Sequence, residues 1–241
     1  MNERQKTRLI SGMKQLNISM NASQLEQFEK HLALLLEWNQ KMNLTALSDP
    51  DEMITHHFLD SATCSLHSAY SKCNKILDLG TGAGFPGIPL KILFPEQEFV
   101  LMDSLRKRID FLEQVKKDLN LEKITMIHAR AEDAGREQPF REQFDGIVSR
   151  AVATLPVLLE YTIPFLKKDG WFFCQKGPQW QDEVEKAQKA MQVLSVKLEG
   201  NAQVHVPFTD LKHQLLVFRK TAVTQKTYPR KAGTPSKKPI Q

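Results

Sequence analysis

Asp78-Leu79-Gly80-Thr81-Gly82-Ala83-Gly84-Phe85-Pro86-Gly87 follows directly on the apolar run Lys75-Ile76-Leu77. Lys75 to Leu79 reads as a short buried strand. Gly87 to Phe94 reads as a short helix stopped by Pro95. Alternating glycines between a strand and a helix let the backbone turn sharply and approach a ligand without a Cβ in the way. In a doubly wound sheet such a turn lies at the carboxyl edge of the strands, where ligands bind.

Downstream the same alternation continues. Glu98 to Asp103 reads as a second strand, Ile124 to Ala129 as a third, Phe144 to Ser149 as a fourth and Gly170 to Gln175 as a fifth. Leu105, Ile109, Leu112, Val115 and Leu119 recur at helical spacing, and a helix through Leu155, Leu158 and Leu159 precedes the fifth strand. A helix near 182–194 and strands near 196–198 and 215–219 complete the pattern. Strands alternating with helices predict an α/β fold with a doubly wound, mostly parallel sheet.

Upstream the texture is helical. Ser23 and Glu26 have capping-box spacing, and Leu25, Phe28, Leu32, Leu35, Trp38 and Met42 form one apolar stripe. Asn43-Leu44-Thr45 breaks it. Asp49-Pro50 starts a second helix through Met53, Ile54, Phe58 and Leu59, with an acid at the cap and proline at the first position. The predicted organisation is an N-terminal helical extension over 1–70, a ligand-binding domain over 71–220 and a basic C-terminal tail over 221–241.

The chain has 241 residues, 41% of them hydrophobic, enough for a sizeable core. It has no apolar run near the roughly 18–20 residues of a membrane span and no signal-peptide pattern, so a cytoplasmic protein without membrane contact is expected. Cys64, Cys73 and Cys174 form no metal-ligand spacing, and no metal is expected; His56, His57 and Asp60 are read as packing and capping residues. The net charge is +5, yet residues 1–210 hold 25 cations against 28 acids. From Leu211 onward there are eight cations and no acid, the pattern of a basic arm laid on a polyanion or of a solvated tail.

Two cofactors compete for the glycine turn. Gly82, Gly84 and Gly87 satisfy the dinucleotide pattern, and Asp103, nineteen residues beyond Gly84, suits either cofactor's ribose. Asp78 favours S-adenosylmethionine, because a carboxylate beside the loop repels a pyrophosphate and attracts a sulfonium and an ammonium. Ala129-Arg130-Ala131-Glu132-Asp133 ends the third strand where this fold covers an adenine. Beyond the fourth strand, Ser149-Arg150-Ala151-Val152 lacks the proline-rich turn common in exocyclic amine methylation. Cys174, inside the fifth strand, reads as core, not as the nucleophile that pyrimidine carbon methylation uses. A ring nitrogen with a free lone pair, such as guanine N7, needs neither device. Arg150 and Lys176, at strand ends on the cofactor edge, are candidates for substrate positioning, and Arg150 could also pair with a methionine carboxylate or an RNA phosphate.

These residues resemble the RsmG (GidB) family, bacterial methyltransferases that make 7-methylguanosine in 16S ribosomal RNA. The marks are Trp38-Asn39 with Asn43-Leu44-Thr45, His57 with Asp60-Ser61, the glycine turn through Leu90 and Asp103-Ser104 with Lys107-Arg108. Arg130-Ala131-Glu132, Ser149-Arg150-Ala151, Lys176-Gly177 and Tyr228-Pro229-Arg230-Lys231 with Gly233, Pro235 and Lys237 complete them. The resemblance covers nearly the whole chain. It departs at Asp169-Gly170, where two glycines are common, and at Ile240, where leucine is usual. It implies a Rossmann-like class I methyltransferase fold, S-adenosylmethionine as cofactor and a monomer acting on 16S ribosomal RNA or the small ribosomal subunit. It further implies that Gly80, Phe85, Ala131, Glu132 and Arg150 contact the cofactor, with Asp103 on its ribose. Asp78 and Gly82 join that expected site from the loop reading. Arg230, Lys231, Lys237 and Lys238 are expected to neutralise RNA phosphates along an extended path. A methyltransferase for another substrate, a nicotinamide oxidoreductase and a non-catalytic RNA-binding protein remain the alternatives.

Overall fold

Apolar runs short enough for strands and flanked by polar turns pair into one seven-stranded sheet, order β3-β2-β1-β4-β5-β7-β6. The computed structural model describes residues 1–150 and 152–240; Ala151 of the quoted motif lies outside them. The strands are β1 Lys75–Leu79, β2 Glu98–Asp103, β3 Ile124–His128, β4 Phe144–Arg150, β5 Leu166–Lys176, β6 Val196–His205 and β7 Lys212–Lys220. The first five pair in parallel, and β7 runs antiparallel between β5 and β6. Because β1 has β2 on one side and β4 on the other, winding reverses between β1 and β4. That reversal opens a crevice at the strands' carboxyl ends.

Helices cover both faces. The N-terminal ones are α1 Glu3–Gln15, α2 Ala22–Met42, α3 Pro50–Met53 and α4 Asp60–Ala62, with a π-helical turn over Ile54–Leu59 joining α3 to α4. With α5 Gly87–Leu93 and α6 Arg106–Asp118 they bury Leu9, Phe28, Leu32, Phe58, Ile88 and Leu112 in one core. The other core, around Leu77, Ile147, Leu158, Phe172 and Phe218, involves α7 Ala131–Ala134, α8 Leu155–Thr162, α9 Trp180–Lys186 and α10 Gln188–Val193. The N-terminal helices are therefore one layer of the main core.

Four local expectations change. The capping box of α2 is Asn21 with Gln24, two residues before the Ser23 and Glu26 pair. Asn21 Oδ1 accepts from Gln24 N, and Gln24 Oε1 accepts from Asn21 N, both at 2.9 Å. The helix expected near 182–194 breaks at Ala187 into α9 and α10. β6 spans ten residues because its whole length pairs with β7. The C-terminal segment is not purely extended: Thr234–Lys237 forms one helical turn, α11, with Pro235 buried at its start.

Candidate active site

The glycine turn crosses from β1 to α5 with left-handed backbone at Gly80, Gly82 and Gly84, φ +71°, +61° and +92°. Asp78 braces it from beneath. Its Oδ2 accepts from Thr81 Oγ1 at 2.6 Å and from Gly87 N at 2.7 Å. A Cβ on Gly87 would lie 2.5 Å from that same oxygen, so only glycine fits there. Asp78 is fully buried, and burial pushes its carboxyl up to about 7.

Asp103, at the end of β2, is 3% exposed. Its Oδ2 accepts from Gly82 N at 3.0 Å and its Oδ1 from Leu105 N at 2.9 Å, which orients the carboxylate; Arg108 pairs with it at 3.1 Å. Asp103 lines a cleft of about 190 Å³ with Gly80, Ala131, Glu132 and the apolar walls Leu79, Met102, Ala129 and Val152. Glu132 is 3% exposed, and its Oε1 accepts from Gly233 N at 2.8 Å.

A second cavity of about 520 Å³ lies over the ends of β4 and β5, lined by His56, His57, Asp60, Arg150, Gln175, Lys176, Glu183 and His213. Buried Asp60 is its hub. It pairs with Arg150, and it accepts from Gln175 Nε2 at 3.2 Å and from His213 Nδ1 at 2.8 Å. Burial pulls the Asp60 carboxyl upward, but the His213 hydrogen bond and the Arg150 charge outweigh it and hold the group below its usual range. The same hydrogen bond raises the His213 imidazole. Arg150 donates from Nη2 to His57 Nδ1 at 3.1 Å, so His57 Nε2 carries the hydrogen facing Thr45 Oγ1 at 2.8 Å. Burial lowers His57 to about 3 and keeps it neutral.

The family model of GidB, described as rRNA small subunit methyltransferase G, matches residues 24–214. This chain belongs to the GidB family. Family proteins named ribosomal RNA small subunit methyltransferase G include that of Desulfitobacterium hafniense, 49% identical with 93% of each chain covered. That of Alkaliphilus oremlandii is 48% identical, covering 97% of this chain and 98% of the relative. Among solved structures, a chain in the Haloferax volcanii complex of the Trm112 methyltransferase activator with its methyltransferase has TM-score 0.54. It is 13% identical, covering 78% of this chain and 98% of that one. A transferase from Pyrococcus horikoshii reaches 0.50 at 11% identity, covering 62% and 58%. At those identities the structures speak for the fold, a class I methyltransferase fold.

In this GidB chain, the expected cofactor residues divide. Gly80, Asp103, Ala131 and Glu132 line the first cleft. Asp78, Gly82 and Phe85 do not; they shape the turn from inside. Asp78 makes no direct contact with the cleft, because both its oxygens are buried in protein. Phe85 packs against His57 at 4.3 Å, His31 at 5.6 Å and the Arg150 guanidinium at 5.4 Å. Arg150 opens onto the second cavity with Lys176, whose Nζ donates to Ala153 O and Glu183 Oε2, both at 2.8 Å.

Arg230 is drawn inward: its Nε and Nη2 donate to the buried Glu160 carboxylate at 2.9 Å and 2.6 Å, so much of its charge is paired within the protein. Lys231, Lys237 and Lys238 are exposed and carry no ion pair among the described residues. Val152 and Tyr161 were missed on the cleft wall, as were Gln175, Glu183 and His213 at the second cavity. His213 comes from β7, 153 residues from its partner Asp60, and no local pattern announces that pairing.

The first cleft fits S-adenosylmethionine better than a dinucleotide. Between Gly80 and Ile88 the amides of Gly80, Thr81, Gly82, Gly84, Phe85, Gly87 and Ile88 all donate to protein acceptors. Pro86 has no N–H, so Ala83 alone offers an amide, and no cradle of amides remains for a pyrophosphate. Two carboxylates, Asp103 and Glu132, with apolar walls between them suit a ribose and an adenine. No group of side chains among the described residues has metal-ligating geometry. Among the described residues, no helix is long and apolar enough to cross a membrane.

Proposed function

We propose that this chain transfers a methyl group from S-adenosylmethionine to N7 of a guanosine in 16S ribosomal RNA. The observation that carries this reading is full-length membership of the GidB family together with a cleft whose two carboxylates face a glycine turn with consumed amides. When bound, S-adenosylmethionine supplies an electrophilic methyl on a sulfonium. Asp103 accepts from the ribose hydroxyls, Gly80 leaves room for the backbone to approach, and Ala131 and Glu132 meet the adenine. Asp78, Gly82 and Phe85 act through the shape of the turn. Arg150 spends three of its five N–H hydrogens on His56 O, Asp60 and His57, which leaves two for the donor's carboxylate or for RNA.

Guanine N7 carries a lone pair and no proton, so the residues need only align it. Alignment alone is worth several kcal/mol of barrier. The second cavity, with Arg150 and Lys176 beside β4 and β5, is where the base enters. Lys231, Lys237 and Lys238 take the RNA backbone, and the enzyme works as a cytoplasmic monomer. A labelled-methyl assay on total RNA, 30S subunits and protein extract tests the substrate class. Label confined to small-subunit RNA and recovered as 7-methylguanosine supports the reading; label in protein, or in another nucleoside, contradicts it.

A further inference from the structure

The segment from Thr224 to Lys238 is strapped onto the body beside the cofactor cleft. Arg141 donates to Thr224 O and Tyr228 O, both at 2.8 Å, and Arg136 donates to Pro229 O at 2.9 Å. Arg230 then forks onto Glu160, which is 0% exposed, and its backbone N–H adds a third contact to that carboxylate at 2.7 Å. A buried carboxylate is tolerated only with such a partner, so this pair locks the strap in one place. Three residues on, Gly233 takes φ +79° and aims its N–H at Glu132 Oε1. Glu132 itself lines the cleft wall.

We infer that the C-terminal strap is a positioning element for the cofactor: the Arg230–Glu160 clamp and the Gly233 N–H hold the Glu132 carboxylate in place. The inference rests on the reading of Glu132 as a cofactor contact. A carboxylate tethered at one oxygen loses little freedom when its second oxygen accepts from an exocyclic amine. Untethered, it rotates and loses that hydrogen bond. The tail thus serves the cofactor as well as RNA.

The experiment is calorimetric titration of the full chain with S-adenosylhomocysteine, melting temperatures recorded alongside. Arg230→Lys keeps the charge but loses the fork. Gly233→Ala adds a Cβ that meets nothing within 4 Å, so it disturbs only the left-handed turn and stands in should the first variant not fold. Each should raise Kd about tenfold, and raise KM for the cofactor with kcat nearly unchanged, as loss of one charge-assisted hydrogen bond does. In a Glu132→Ala background the same substitutions should cost nothing further. A lowered melting temperature with unchanged Kd, or penalties that multiply with Glu132→Ala, would show the strap to be structural only and overturn the inference. An unchanged Kd for Glu132→Ala alone would remove Glu132 from the cofactor site and fell the underlying reading instead.

Discussion

Asp103 and His31 show how differently a buried polar side chain can behave. Asp103 is held by two backbone amides and turned to the cleft, so Asp103→Ala should weaken S-adenosylhomocysteine binding by about 1–3 kcal/mol in calorimetry. Unchanged binding would take it off the ribose. His31 lies fully buried against Phe58 and Phe85 with neither ring nitrogen hydrogen-bonded among the described residues, and burial lowers it to about 3. His57 is lowered to the same range. A depressed histidine stays neutral in the fold while the unfolded chain takes up a proton. Stability therefore falls as pH drops from about 6.5 toward 3. His213, raised by Asp60, acts in the opposite sense: its contribution is present below about 6.5 and fades as pH rises through its folded value. His31→Leu should flatten the acid decline, recovering about 2 kcal/mol relative to wild type at pH 5 in denaturant titrations. A decline of unchanged steepness would mean that His31 is protonated in the fold.

At the scale of elements, the β1 turn is built so that one carboxylate ties together the Thr81 hydroxyl and the Gly87 amide. Gly87→Ala drives a Cβ into Asp78, and overpacking there should cost about 1–3 kcal/mol by thermal unfolding. Asp78→Asn, by contrast, can still accept from Thr81 and Gly87, so cofactor affinity should stay within about threefold. A larger loss would restore the direct charge attraction that the sequence implied. The strand pattern, the turn and the acid at the end of β2 were legible because each is a contiguous signal with a local cause. The Asp49 cap with Pro50 was equally plain, and Asp49 Oδ1 does accept from Asp51 N and Glu52 N. What escaped reading depends on contacts between distant elements. The start of α2 moved to Asn21, the Asp60–His213 pair joins the N-terminal layer to β7, and Arg230 meets Glu160 across 70 residues. Charge counting saw the tail's cations but could not see which of them was already spent.

Across the whole molecule, the sheet divides its carboxyl edge between two cavities, one beside β1, β2 and β3 and one beside β4, β5 and β7. Arg150, at the end of β4, sits where winding reverses between them. The exposed lysines of the tail sit on the strap that borders the first cavity. Replacing Lys231, Lys237 and Lys238 with alanine should lower the log–log salt slope of RNA binding by about 2, roughly 0.7–0.9 per lost phosphate contact. An unchanged slope would place the RNA elsewhere. The central claim is methylation of N7 on a guanosine of 16S ribosomal RNA, and nucleoside mass spectrometry of that RNA from cells with and without this protein tests it most directly. The account predicts that one 7-methylguanosine per 16S molecule is lost with the gene and restored by the wild-type chain; an identical 7-methylguanosine content in both cells would contradict it.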